Sequence, residues 1–264
     1  MLNLNIFTMS KKVIKMPSKN DRTGEIAVNT NGSKMKIIKY RNKDDIDVLF
    51  IEQNYIKKNV KYRAFLKGNV KSPYDKSVYG VGYIGEGKYS HKEYSIIYNS
   101  WANMIQRCYL ESFHIKQPSY KDCHVCSEWH NFQTFAKWYE ENAYNVNSKL
   151  ELDKDILFKN NKIYSPKTCV LVPKDINILL AKANSIRGEY PIGVSLFKNG
   201  KFKASITINN KVHHLGYYNT SDLAFEAYKQ AKEEYIKSKA QEYYEIIPKS
   251  LYNALMLYEV SKED

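Results

Sequence analysis

Apolar and polar residues alternate along this chain with two different periods, and the switches between them mark its parts. Between Thr23 and about Val70 apolar residues recur at every second position in short bursts. Ile26 to Val28 precede an Asn31-Gly32 pair. Met35, Ile37, Ile38 and Tyr40 follow, then a charged turn over 42–45, then Ile46, Val48 and Phe50. Val60, Tyr62 and Phe65 continue the series. A period of two is that of a half-buried strand, and Asn-Gly favours a tight hairpin turn. Several short strands with close turns predict a small SH3-like β-barrel over residues 23–75. Residues 1–22 are polar and Lys-rich with no period, which predicts a flexible basic arm.

The run YGVGYIGEGKY within residues 76–90 has neither period and reads as a linker or an irregular lead-in. Helical spacing then begins near Tyr94. Ile97, Trp101, Met104, Ile105 and Cys108 fit one buried face, and Phe132, Phe135, Ala136 and Tyr139 fit a second over 132–141. Period two returns in residues 192–197, 201–208 and 211–217, punctuated by Asn199-Gly200 and Asn209-Asn210. These are the residues that two-residue hairpin turns require. Thr220 or Ser221 then caps a helix over 222–239, with Leu223, Ala227 and Ala231 along one side and Tyr228 and Tyr235 flanking it.

Alternation also assigns the two faces of this C-terminal sheet. Val194, Leu196, Phe202, Ala204, Ile206, Ile208 and Leu215 point to the helix. Ser195, Phe197, Lys201, Lys203, Ser205, Thr207 and His214 point away, with Lys198 and Lys211 at the turns.

Charge adds a class of partner. The chain has 264 residues and a formal net charge of +13. Residues 1–75 hold 16 Lys and Arg against 7 Asp and Glu, and Lys57, Lys58, Lys61 and Arg63 concentrate there. Residues 194–217 hold four Lys and no acid. Such patches attract phosphate backbones through counterion release. No apolar run approaches the length of a membrane span, and the N-terminal residues do not form a good signal peptide. Four cysteines are too few for a disulfide framework of this length, so a reducing, cytoplasmic setting is expected.

Two stretches carry resemblances. The run IGVSLFKNGKFKASITINNKVHHLGYYNTSDLAFEAYKQAKEEY resembles an AP2/ERF DNA-binding domain in its opening Gly-Val, its Gly-Lys-aromatic second strand, its Leu-Gly-aromatic third strand and its Ala-rich helix. The resemblance implies that outward sheet side chains meet DNA. The matching positions are Ser195, Ser205, Thr207 and His214, where the family mostly has Arg and Trp. Phosphate contact by Lys198, Lys201, Lys203 and Lys211 is retained, and only weak sequence preference is expected.

Residues 101–180 are similar to HNH-type endonucleases common in bacteriophages. The shared parts are Trp101-x-x-Met104-x-x-Arg107-Cys108, then Cys126-x-x-Trp129-x-x-Phe132-x-x-Phe135. Leu152-Asp153-Lys154-Asp155, Asn160-Asn161 and Tyr164-x-Pro166-x-Thr168-Cys169 complete the series. The resemblance implies metal-assisted phosphodiester hydrolysis, with Asp153 and Asp155 holding Mg²⁺ or Mn²⁺. Lys154 stands where the family has its general-base His and is assigned to the scissile phosphate. Thr168 replaces an Asn. Asn161 is a candidate site residue, and Asn177 a candidate polar contact. Cys123-x-x-Cys126, with His124 and His130 nearby, has partial zinc spacing that Cys108 or Cys169 could complete. The resemblance instead gives Cys126 and Trp129 to the core, so structural zinc is not expected.

These readings predict an α+β protein. It has an N-terminal β-barrel, an HNH-like ββα-metal centre over 90–182, a three-stranded antiparallel sheet packed on one helix over 186–247, and a tail over 248–264. The expected partner is double-stranded DNA. The expected function is that of an HNH-type endonuclease of phage or mobile-element origin. Two alternatives stay open: a catalytically inactive DNA-binding regulator, and an inhibitor that binds an acidic host protein.

Overall fold

The computed structural model describes residues 21–180 and 189–262, so all but the last two residues of the expected basic arm lie outside the described residues. The chain divides into two compact units, Met1–Ser77 and Val78–Asp264, each mixed in α and β structure.

The first unit is an open antiparallel meander of β1 (Ile26–Val28), β2 (Lys34–Asn42), β3 (Asp45–Phe50) and β4 (Tyr55–Val60) in that order. The alternation places Met35, Ile37, Ile46, Val48 and Phe50 on one face at 0% exposure. Each such burial contributes roughly 1.5–3 kcal/mol. The barrel does not close: β1 and β4 each pair with one neighbour only. The cause is α1 (Tyr62–Leu66), where a strand was expected. Tyr62 and Phe65 are three apart, the spacing of a helical turn, whereas on a strand they would face opposite sides, and Phe65 covers the sheet's apolar face at 1% exposure. The following segment is pinned by Asp75, which is 2% exposed. Its carboxylate accepts from Ser33 Oγ at 2.7 Å, Asn29 Nδ2 at 2.8 Å, the Ser72 backbone N–H at 2.9 Å and Asn31 Nδ2 at 3.1 Å. Burial acts to raise its pKa, but these donors outweigh it and hold the carboxyl below its ordinary value.

The second unit opens on the Gly- and Tyr-rich run, which is irregular but packed. The Gln133 side chain bonds to the backbone of Ile84 and Tyr89, and Val78 and Tyr89 enter the core. Gly85 and Gly87 lie so close to Asn131 and Gln133 that a Cβ on either would come within 2.3 Å of those side chains. That core is built from α2 (Ser95–Tyr109) and, beyond the short α3 (Glu111–Lys116) and β5 (His124–Val125), from α4 (Phe132–Asn142). Trp101, Ile105, Trp129, Phe132, Phe135 and Ala136 are all at 0% exposure. Asn131 caps α4 by accepting from the Gln133 N–H.

Next come β6 (Leu150–Asp153), β7 (Ile163–Tyr164) and β8 (Val170–Pro173), and β8 runs directly into α5 (Lys174–Leu180). β6 and β8 pair antiparallel and β7 pairs parallel with β5. The C-terminal sheet comprises β9 (Val194–Leu196), β10 (Phe202–Ile208) and β11 (Lys211–Tyr218), with β10 central and every pairing antiparallel. Helix α6 (Ser221–Glu242) follows, with Thr220 Oγ1 accepting from the Leu223 N–H.

The buried stripe of α6 differs from the expected one. Ala224, Phe225, Tyr228, Ile236 and Ala240 are buried, and Leu223 is exposed. Its first half packs under the sheet with Ile206. Its second half packs with Val170, Val172, Ile176 and the side chains of α7 (Lys249–Met256). A helix of 22 residues, about 33 Å long, thus carries the sheet and the segment of β6, β8 and α5 (a ββα segment by element order alone) on one rod. The stretch 248–264, expected as a tail, contains α7, whose Leu251 and Leu255 are at 0% exposure. Among the described residues no helix is long and apolar enough to cross a membrane.

Candidate nucleic-acid interface and ββα centre

The outer face of β9–β11 follows from register. Ser195, Lys203 and Tyr217 lie in one row across the three strands. Ser205 faces His214 in the next row, and Thr207 faces Val212 beyond it. Phe197 sits past the end of β9, and its N–H donates to the Lys201 carbonyl at 2.7 Å. Lys198, Lys201 and Lys211 are exposed, as are Ser195 and Thr207, and Lys203 and Ser205 are half-buried. None of the four lysines pairs with a carboxylate among the described residues.

Simple alternation puts His214 outward and Tyr217 inward. The structure turns both outward, because the register slips by one residue opposite Ala204 and Ser205 and Leu215 is the extra residue. Such a bulge re-aims the side chains that follow it. Gly216, at φ +140°, supplies the backbone freedom beside it. The consequence is a ring cluster that alternation does not predict. The Tyr217 centroid lies 4.4 Å from that of Phe197 and 4.4 Å from that of His214. Leu196, expected inward, is exposed because the short β9 leaves the helix before that point. At the other end, Gly193 at φ +78° lets the strand lie flat on Tyr228, where any Cβ would meet the ring.

In the ββα segment, strand alternation sends Leu150 and Leu152 into the core and turns Glu151 and Asp153 to the other side. Asn177 on α5 donates to Glu151 Oε2 at 2.8 Å. Asp153 Oδ1 accepts from the backbone N–H groups of Asp155 and Ile156, both at 2.7 Å, so this carboxylate closes the turn after β6. Burial pushes its pKa upward, opposed by those two N–H groups.

Lys154 is 7% exposed. Its Nζ donates to both carboxylate oxygens of Asp155, at 2.8 and 2.7 Å, and to the Asn161 carbonyl at 2.7 Å. An ammonium has three protons, and all three are used. Asn161 completes the knot: its Nδ2 donates to the carbonyls of Lys154 and Ile163, and its Oδ1 accepts from the Ile163 N–H. The lysine assigned to a scissile phosphate is therefore turned inward onto its own loop. Thr168 Oγ1 donates to the Ile163 carbonyl at 2.7 Å, a loop-closing bond as well.

All four cysteines are free thiols. Cys108, Cys123 and Cys169 are buried in the same core, and Cys126 is half-buried at its edge. Burial raises all four, pushing Cys108 and Cys169 up to about 12. Among the described residues no three His, Cys, Asp or Glu side chains group as a metal site requires. Magnesium takes oxygen donors in a near-octahedral set. Here Asp155 is bound to Lys154, Glu151 to Asn177 and one oxygen of Asp153 to the backbone.

In the first unit, Lys58, Lys61 and Arg63 are exposed on β4 and α1, and Lys57 is tethered through Nζ to the Lys71 carbonyl at 2.9 Å. Comparison with known proteins adds no relative: no family model, no curated protein and no solved structure matches this chain.

Proposed function

We propose that this protein binds double-stranded DNA through the outer face of its C-terminal sheet, with its ββα segment as a rigid companion. The observation that carries the reading is a set of four lysines on the outer face and at the turns of this sheet, none of them paired with a carboxylate among the described residues. Uncompensated ammonium groups on an open sheet gain most from a polyanion, because each phosphate neutralised releases a counterion. Antiparallel strands can enter the major groove of a duplex. The AP2/ERF resemblance points the same way. Ser195, Ser205, Thr207 and His214 offer short hydrogen-bonding groups, so contacts to phosphates position the protein and base selection is weak. Lys58, Lys61 and Arg63 of the first unit add to the electrostatic attraction.

DNA cleavage is the second reading. The observation in its favour is a β6–β8–α5 arrangement in which Asn177 bonds to Glu151 and Asp153 lies two residues further along the same strand face. It requires a divalent cation, for which Asp153 and Asp155 are the candidate oxygen donors. Incubation of supercoiled plasmid with the protein and Mg²⁺ or Mn²⁺ separates the readings. Retarded but intact plasmid is expected. Nicking that disappears in Asp153→Ala would establish cleavage instead. Binding to an acidic protein that excess duplex DNA fails to displace would favour an inhibitor.

A further inference from the structure

We propose, building on the nucleic-acid reading, that the sheet face is a stacking site for unpaired bases of single-stranded DNA, with Phe197, Tyr217 and His214 as its platform. Phe197 follows β9 and Tyr217 lies on β11, two strands that do not pair with each other. Outer strands of a three-stranded sheet stand about 10 Å apart, so these rings meet only by leaning inward across β10. Their centroids are 4.4 Å apart, and His214 extends the group by a further 4.4 Å. The platform is open to solvent: Phe197 is 40% exposed, Tyr217 47%, and the neighbouring Val212 69%.

The occupant follows from what surrounds the rings. From Tyr190 to Ser221 the chain has four lysines and no Asp or Glu, so the ligand is anionic. The outward set contains no Arg, Asn or Gln able to read a base edge with paired hydrogen bonds. What it offers instead is planar apolar area, which meets the face of a base and not its edge. In a duplex those faces are covered by stacking on neighbours. In a single strand they are available, and aromatic side chains beside a basic track form a common platform for them. Lys203 on β10 and Lys201 just before it lie between the two strands that carry the rings and can follow the phosphates.

The test uses the full chain and three labelled probes: a dT oligonucleotide of about 12 nucleotides, a duplex of equal length, and the matching U-run RNA. The dT strand is expected to bind more tightly than the duplex or the RNA. Phe197→Ala/Tyr217→Ala should weaken dT binding by about tenfold or more and change duplex binding by less than about twofold, the loss of two stacked bases. Phe197→Leu/Tyr217→Leu keeps apolar bulk and lacks the planar face. It should show the same selective loss, and it guards against a misfolded alanine variant.

If both ring variants bind dT normally while Lys201→Glu/Lys203→Glu weakens every probe, the stacking site is overturned and the duplex reading stands. If duplex binding is strong and dT binding weak in the unaltered protein, the stacking site is again overturned. Tighter binding of the RNA would overturn the assignment to DNA. Absence of binding to all three probes would overturn both readings.

Discussion

Two groups of lysines in one folded unit have opposite fates. Lys154 lies in the ββα segment with each ammonium proton bound to Asp155 or Asn161, and it is almost wholly withdrawn from water. Lys198, Lys201, Lys203 and Lys211 have no carboxylate partner among the described residues, and three of them are exposed. The same residue type therefore serves stability in one place and leaves its charge available in the other. A charge already satisfied inside the protein has little to gain from a ligand, and breaking its bonds to reach a phosphate would cost more than a surface lysine loses.

Substitutions should separate the two groups. The largest stability effect is expected from Lys154→Met, which leaves the Asn161 carbonyl and Asp155 without their donor. Because half of the Asp155 side chain is exposed, the loss should be about 2–3 kcal/mol, below that for a fully buried pair. Denaturant melts would show it, and duplex affinity of the folded fraction should be unchanged.

A buried carboxylate with no cation partner among the described residues, Asp75, extends the contrast to the first unit. Asp75→Asn should cost about 2 kcal/mol, since an amide cannot accept from all the donors around it. The folded carboxyl lies below its ordinary value near 4. Its contribution should therefore be fully present above about pH 4 and fall as pH drops through the depressed folded value. Asp75→Asn should lack this part of the acid loss, which thermal melts between pH 2 and 5 would read.

Asn161→Ala removes three hydrogen bonds from the turn and should cost about 1–2 kcal/mol, again with no change in binding. The smallest stability effect is expected from Lys203→Met, within about 0.5 kcal/mol. That variant should instead lose duplex affinity and reduce the salt slope by about one. A stable Lys154→Met protein, or an unfolded Lys203→Met protein, would break the comparison.

Much of this was legible in the pattern of residues. Period two located β2 and β3 through Met35, Ile37, Ile46, Val48 and Phe50. Asn199-Gly200 and Asn209-Asn210 all adopt positive φ at the turns they predict. Trp101, Met104, Ile105 and Cys108 line α2 at helical spacing, and all are buried. The errors have physical causes. Val60 and Tyr62 continue period two, but Phe65 is three residues beyond Tyr62, a helical spacing, and packing over the open sheet goes with the helix. Tyr217 faces outward because of a single extra residue, Leu215, and a register slip leaves no trace in a hydrophobic count. The inward turn of Lys154 depends on the Asn161 carbonyl seven residues away, a backbone group that side-chain identity does not place. The stripe of α6 was misassigned because its two halves serve different cores, which broadens the apolar face beyond one period.

The account turns on whether the uncompensated lysines of the C-terminal sheet meet phosphate. Duplex DNA binding measured against salt concentration, for the unaltered chain and for Lys201→Glu/Lys203→Glu, tests this most directly. The account predicts that the variant loses about tenfold or more in affinity at low salt and that its slope of log affinity against log salt flattens by about two. An unchanged affinity and slope in a folded variant would contradict it.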